Sequence, residues 1–180
     1  MTSAHFDIHG GFGTSLADLA LRFGHGGSFG AGLHSKQRGG FYWGLQADWG
    51  FGWGVRELDL LSNLMTPEGE LIDNEGQVAF VGISGQMGRF TAELGHLFSL
   101  EGQGSNPNSG LLVKFGLGSF HHRIHFENTE NHITQLEEPY LSGYDRLTWG
   151  ACGSAFLGYF HMSDDGRINY FVGLETTQAR

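Results

Sequence analysis

From Phe41 to Val55 the chain alternates between two kinds of residue. The odd positions Phe41, Trp43, Leu45, Ala47, Trp49, Phe51, Trp53 and Val55 are all apolar. Apart from Tyr42, the even positions Gly44, Gln46, Asp48, Gly50, Gly52 and Gly54 are polar or carry no side chain. A period of two places successive side chains on opposite faces of a β-strand. Strands packed in soluble sheets usually run about five or six residues, and this run is far longer. Large aromatics stand toward the ends of its apolar face, with Leu45 and Ala47 between them. A tilted strand crossing a bilayer has this pattern, with lipid on one side, lumen on the other and aromatics at the headgroup level. The expected fold class is all-β, an antiparallel transmembrane β-barrel. Trp43, Leu45, Trp49, Phe51, Trp53 and, on a later strand, Trp149 are its expected lipid-facing residues.

At 180 residues the chain is expected to form one domain, 1–180. Its 31 glycines are more than twice the usual share of about 7%, and many lie inside the alternating segments. A flexible linker does not explain that placement. Charged residues make up 16%, below the roughly 25% of soluble proteins. A mean hydropathy of −0.21 suits a barrel, because only alternate residues of each strand meet lipid. No run approaches the ~18 apolar residues of a transmembrane helix. Met1 to His9 has neither a basic region nor an apolar core, so no signal peptide is expected in it. Cys152 is the single cysteine, which rules out an internal disulfide. A net charge of −9 disfavours nucleic acid as a partner.

The alternation predicts strands over 5–13 and 28–37, with a short amphipathic helix over 14–24 between them. A tight turn at Arg38-Gly39-Gly40 leads into the strand from Phe41. The segment 56–76 is polar and acidic and reads as an exposed loop. Strands follow over 77–85 and 89–98, separated by a turn at Gln86-Met87-Gly88. After a loop at 101–110, the strand over 111–126 changes phase near Ser119, either at a bulge or at the end of the membrane zone. A second long loop covers 128–145. Leu147 to Tyr159 and Ile168 to Glu175 complete about eight strands. That count puts the 128–145 loop on the same rim as the tight turns, whereas long loops and short turns should occupy opposite rims.

Several phrases resemble a family of uncharacterised outer-membrane β-barrel proteins from Bacteroidota. They are Leu16-Ala-Asp-Leu-Ala-Leu-Arg-Phe-Gly24, Leu61-Ser-Asn-Leu64, Ile72-Asp-Asn-Glu-Gly76, Pro107-Asn-Ser-Gly-Leu-Leu112 and Gly143-Tyr-Asp-Arg-Leu-Thr148. The resemblance spans most of the chain from Leu16 onward. It implies a barrel in the outer membrane and brings no known activity or catalytic residue. Members of that family carry a signal peptide and continue past the equivalent of Glu175. The resemblance therefore implies that this chain is part of a larger barrel, and it leaves the strand number open.

Motifs for chemistry are weak. Gly26-Gly-Ser28-Phe-Gly30 matches the Gly-x-Ser-x-Gly elbow in letters, but that elbow needs a strand before the serine and a helix after it. His121-His122-x-x-His125 has metal-ligand residue types, yet His122 points away from the other two on a strand. No enzyme activity, cofactor or metal site is expected. The inward-facing charges Asp7, Asp48, Glu93, Lys114, Arg146 and Glu175 are more informative, because charges inside a membrane protein must pair. Lys114 and Arg146 are the expected partners of Asp48. The function expected is an outer-membrane anchor or scaffold with a side-chain-filled lumen. Its partners are the lipid bilayer and a protein at the exposed loops 57–75 and 128–145. A porin-like channel for small solutes and a soluble lipocalin-like barrel are the alternatives.

Overall fold

The alternating stretch forms a strand whose even positions face a curled interior and whose odd positions face outward. The computed structural model describes residues 3–16, 19–52, 55–56, 60–100, 108–127, 132–137, 147–163 and 169–179. In chain order the elements are β1 (Ser3–Thr14), α1 (Leu19–Arg22), β2 (His25–Lys36), β3 (Phe41–Gly52), β4 (Leu71–Ile72) and β5 (Val78–Ala79). They continue with β6 (Gly82–Ser99), β7 (Ser109–Glu127), β8 (Thr148–Met162) and β9 (Asn169–Ala179). Seven strands form one antiparallel sheet in the order β1-β2-β3-β6-β7-β8-β9, and β4 with β5 makes a small separate hairpin. The large sheet curls into a half-barrel, so an all-β, barrel-like fold is the architecture. Rings on β1 reach across the concave side, His5 to Phe160 on β8 at 6.1 Å and His9 to Phe171 on β9 at 6.1 Å.

The large sheet has seven strands among the described residues, where the sequence predicted about eight. Most of the segments expected at 77–85 and 89–98 are one continuous strand, β6, paired along its length with β7 from Gly82↔Glu127 to Ser99↔Gly110. Gly88 looks like a turn residue in the sequence. In the structure it leaves room for the ring of His121 on β7, which a Cβ at Gly88 would strike. Joining the two segments resolves the rim conflict. The strand ends at Thr14, Gly52 and Glu127, which lead into the long connections, now share one rim, and those at Lys36, Ser99 and Met162 share the other. The turn at 37–40 forms as predicted, with Gly39 and Gly40 at φ 81° and 89°, values that disfavour residues with a side chain.

Three local expectations are corrected. The helix expected over 14–24 is a single turn, α1, because so short a segment cannot sustain an isolated helix. Phe23 instead leaves it to bridge Val55 and is buried. The phase change at Ser119 is not a bulge, since β7 keeps one register with β6 and with β8 throughout. What inverts is the surroundings. Beyond Ser119, Ile124 and Phe126 are buried on the concave face while Arg123 and His125 point outward. Finally, the loops are not simply exposed. Leu61, Ile133 and Leu136 pack with Phe23, Ala79, Ile124 and Phe126 into a buried cluster that caps the long-connection rim. These loop residues lack any regular spacing, so no periodic pattern announces their burial.

A second apolar cluster lies toward the tight-turn rim, built from Tyr42, Leu97, Leu112, Phe156 and Phe160. The concave face is thus layered, with apolar side chains toward both rims and polar ones between. Leu61→Ala should cost about 2–5 kcal/mol, because a fully buried leucine leaves a cavity. Leu16, exposed on the same rim, should tolerate alanine with a change within about 0.5 kcal/mol. Denaturant unfolding of the two variants checks the contrast.

Candidate functional site

The polar middle layer is an ion network. Its members share one face because each sits at an inward position of its strand. Asp7 and His9 stand two apart on β1, His34 lies directly across from His5 on β2, and Gln46 and Asp48 stand two apart on β3. Arg89 and Glu93 come from β6, Lys114 from β7 and Glu175 from β9.

The contacts form one continuous chain across the interior. Arg89 donates from Nη1 to Glu175 and, at 2.6 Å, to Thr177 Oγ1. From Nε and Nη2 it donates to Asp48 Oδ2 at 2.9 and 2.8 Å. Asp48 Oδ1 meets His9 Nε2 at 2.6 Å, and His9 Nδ1 meets Asp7 Oδ1 at 3.0 Å. Asp7 Oδ2 bonds His34 Nδ1, and His34 Nε2 meets Glu93 Oε2 at 3.0 Å. Lys114 Nζ closes the chain, donating to the same Glu93 oxygen at 2.7 Å and to Gln46 Oε1 at 3.2 Å. Three rings surround that ammonium, Phe156 at 5.1 Å, Phe171 at 5.4 Å and Tyr42 at 5.9 Å from their centroids. The ring faces add favourable charge–quadrupole contact at a site that excludes water.

Three of the four carboxylates, Asp48, Glu175 and Glu93, therefore bond two permanent cations, Arg89 and Lys114, while Asp7 bonds only His9 and His34. The remaining negative charge falls on two imidazoles whose ring nitrogens all face carboxylate oxygens. Glu93 and His34 have side chains 1% and 0% exposed, so neither can look to solvent for a substitute partner. Glycines make room for the layer. A Cβ at Gly44 or Gly32 would strike the His34 ring, and one at Gly30 would strike His9. Their abundance on this face follows from side chains that lie flat along the wall.

Of the predicted interior charges, Asp7, Asp48, Glu93, Lys114 and Glu175 all join the network, and Arg146 lies outside the described residues. The expected partner of Asp48 is corrected. Lys114 pairs with Glu93, and Asp48 takes Arg89, which the supposed turn at 86–88 had hidden at the start of a strand. His9, His34 and Gln46 share the parity of the charges, and that parity was the signal available for finding them. Outward residues Trp43, Leu45, Trp49, Phe51 and Trp149 are solvent-exposed as placed, while Trp53 lies outside the described residues. Ser28 sits inside β2, with strand on both sides, so no nucleophile elbow forms. The 121–125 histidines diverge. His121 packs between Trp49 and Trp149, while His122 meets Phe23 edge-on.

No family model matches the chain, and neither a curated protein nor a solved structure is similar enough to count as a match. The geometry of the network and of the outer face therefore carries the functional argument. Lys114→Met should destabilise by about 3–5 kcal/mol, because it takes the permanent cation from a buried carboxylate and leaves it only His34. Adding Glu93→Gln should return most of that loss, since Gln still accepts from His34. A double-mutant cycle in denaturant measures both effects.

Proposed function

We propose that the chain is part of an integral outer-membrane β-barrel that serves as an anchor or scaffold. One observation carries the reading: a charged layer crosses the middle of the concave face while an apolar band covers the convex one. Outward side chains from Ile8 on β1 to Leu174 on β9 are large, apolar and exposed, Leu174 at 81%. A soluble barrel of lipocalin type would put its apolar face inside. A contiguous exposed apolar surface of this extent calls for lipid or a protein partner.

Strand length and polarity agree with a bilayer. β6 and β7 run 18 and 19 residues, more than the ~9–11 a tilted spanning strand needs. Outward apolar residues on β6 occupy only the part from Phe90 to Phe98, and the outward residues before them are Ser84, Gln86 and Gly88. The surplus thus lies where the outside turns polar, as expected of strands that project beyond the band into water. Aromatics gather toward both edges, with Trp49, Phe51 and Trp149 at one and Phe41, Phe98, Tyr159 and Tyr170 at the other. Such girdles sit at headgroup level.

In this reading the long-connection rim faces the exterior and the tight-turn rim the periplasm, following the usual arrangement. The capped rim offers the surface for a protein partner. Among the described residues β1 and β9 are the edges of the large sheet, and strand edges in lipid need pairing. The resemblance to the Bacteroidota barrels fits this reading. Charge pairing and the two apolar layers fill this part of the interior, which favours an anchor over a channel.

The protein should require detergent to remain monodisperse. Ala47→Arg, at the middle of the outward face of β3, should impair insertion by roughly 2–4 kcal/mol. Folding into lipid vesicles measures this against wild type. A wild-type chain that stays monodisperse without detergent would overturn the membrane reading, and steady ion conductance in planar bilayers would move transport ahead of anchoring.

A further inference from the structure

We infer that His5, Asp7 and His34 form a binding site for a divalent transition-metal ion of the zinc class. His5 and His34 are a direct cross-strand pair, and Asp7 follows His5 by two on the same face of β1. One ligand atom from each lies within 4.8 Å of the others. Ligands of one tetrahedral zinc ion are separated by about 3.3–3.6 Å, given metal–ligand distances near 2.0–2.2 Å, so small side-chain rotations suffice.

Three further features point the same way. His5 Nδ1 is buried and has no hydrogen-bond partner, a state it shares on the concave face with Thr91 Oγ1 among the described residues. Its other nitrogen, Nε2, meets Tyr42 Oη at 3.1 Å, which leaves Nδ1 free to point a lone pair at an ion. The outer contacts of the other two ligands are also in place. His34 Nε2 bonds Glu93, and the second oxygen of Asp7 bonds His9. A carboxylate behind a ligating histidine fixes its ring and strengthens its donor nitrogen.

Asp7 Oδ2 and His34 Nδ1 are hydrogen-bonded to each other, and an ion would enter between them as the proton they share leaves. Two neutral imidazole nitrogens and one carboxylate oxygen make a borderline-soft ligand set suited to zinc rather than magnesium or calcium. Three protein ligands would leave a fourth position open.

The test uses the whole chain in detergent, stripped with chelator and titrated with Zn(II) alone by calorimetry, then with Co(II) by visible absorption. One equivalent should bind, and Co(II) should give a tetrahedral spectrum without sulfur charge transfer. Tyr42→Phe removes only the hydroxyl behind His5 and should weaken zinc by about 10–100-fold. His5→Phe, which keeps an aromatic ring between Tyr42 and Phe160, should weaken it further. Circular dichroism confirms that each variant is folded. The absence of zinc binding, or equal affinity in wild type and His5→Phe, would overturn the inference. So would loss of binding in a His121→Ala/His125→Ala variant with His5 intact, which would place the ion on the outer rim.

Discussion

A carboxylate removed from water must be compensated within a few ångströms or it unfolds the structure around it. Four of them stand in the interior of this half-barrel, and the rest of the architecture answers to that requirement. Each is bonded by at least one group on another strand, and Asp48 and Glu93 by two, so the network ties β1, β2, β3, β6, β7 and β9 together independently of the backbone ladder. Arg89 is central because its fork reaches two carboxylates on different strands at once. Lysine at that position would offer one point charge with no fixed geometry. Lys114 does the simpler task of neutralising Glu93 inside a ring of aromatics.

The glycines belong to the same account. Rings and carboxylates that lie along a sheet wall need the facing positions to be empty, and Gly30, Gly32 and Gly44 supply that space around His9 and His34. Glycine usually weakens a strand because it packs nothing. Here the wall is packed by neighbours that lean over it. The same substitution of space for side chain operates outside the interior, where Gly88 accommodates His121.

Much of this was legible in the sequence, for a definite reason. A strand reports its two faces at every second residue, so Phe41 to Phe51 disclosed an apolar exterior, and Asp48, Glu93 and Lys114 disclosed a charged interior. Parity says which face a residue occupies but not which residue it meets, because partners depend on register and curvature. That is why parity offers Lys114 and Arg146 for Asp48 when its partner in the structure is Arg89. The division of β6 at Gly88 had a related cause, since a glycine that opens a turn and one that shelters a ring look alike in a sequence. Burial of Leu61, Ile133 and Leu136 left no trace at all. They come from connections without periodicity and meet only after the sheet has brought its long loops to one rim.

The two apolar clusters give the charged layer its meaning. Were the interior open at the long-connection rim, water would screen Asp48 and Arg89 and the pairing would contribute little. Phe23, Leu61, Ile124 and Phe126 close that side, and Tyr42, Leu112, Phe156 and Phe160 close the other. Screened poorly between them, each pair is strengthened, and each unpaired group becomes correspondingly costly. His5 Nδ1 is therefore significant out of proportion to its size. In a layer where Asp7, His9 and His34 are bonded at both ends, one buried nitrogen without a partner beside two potential ligands has a direct physical remedy in a bound cation.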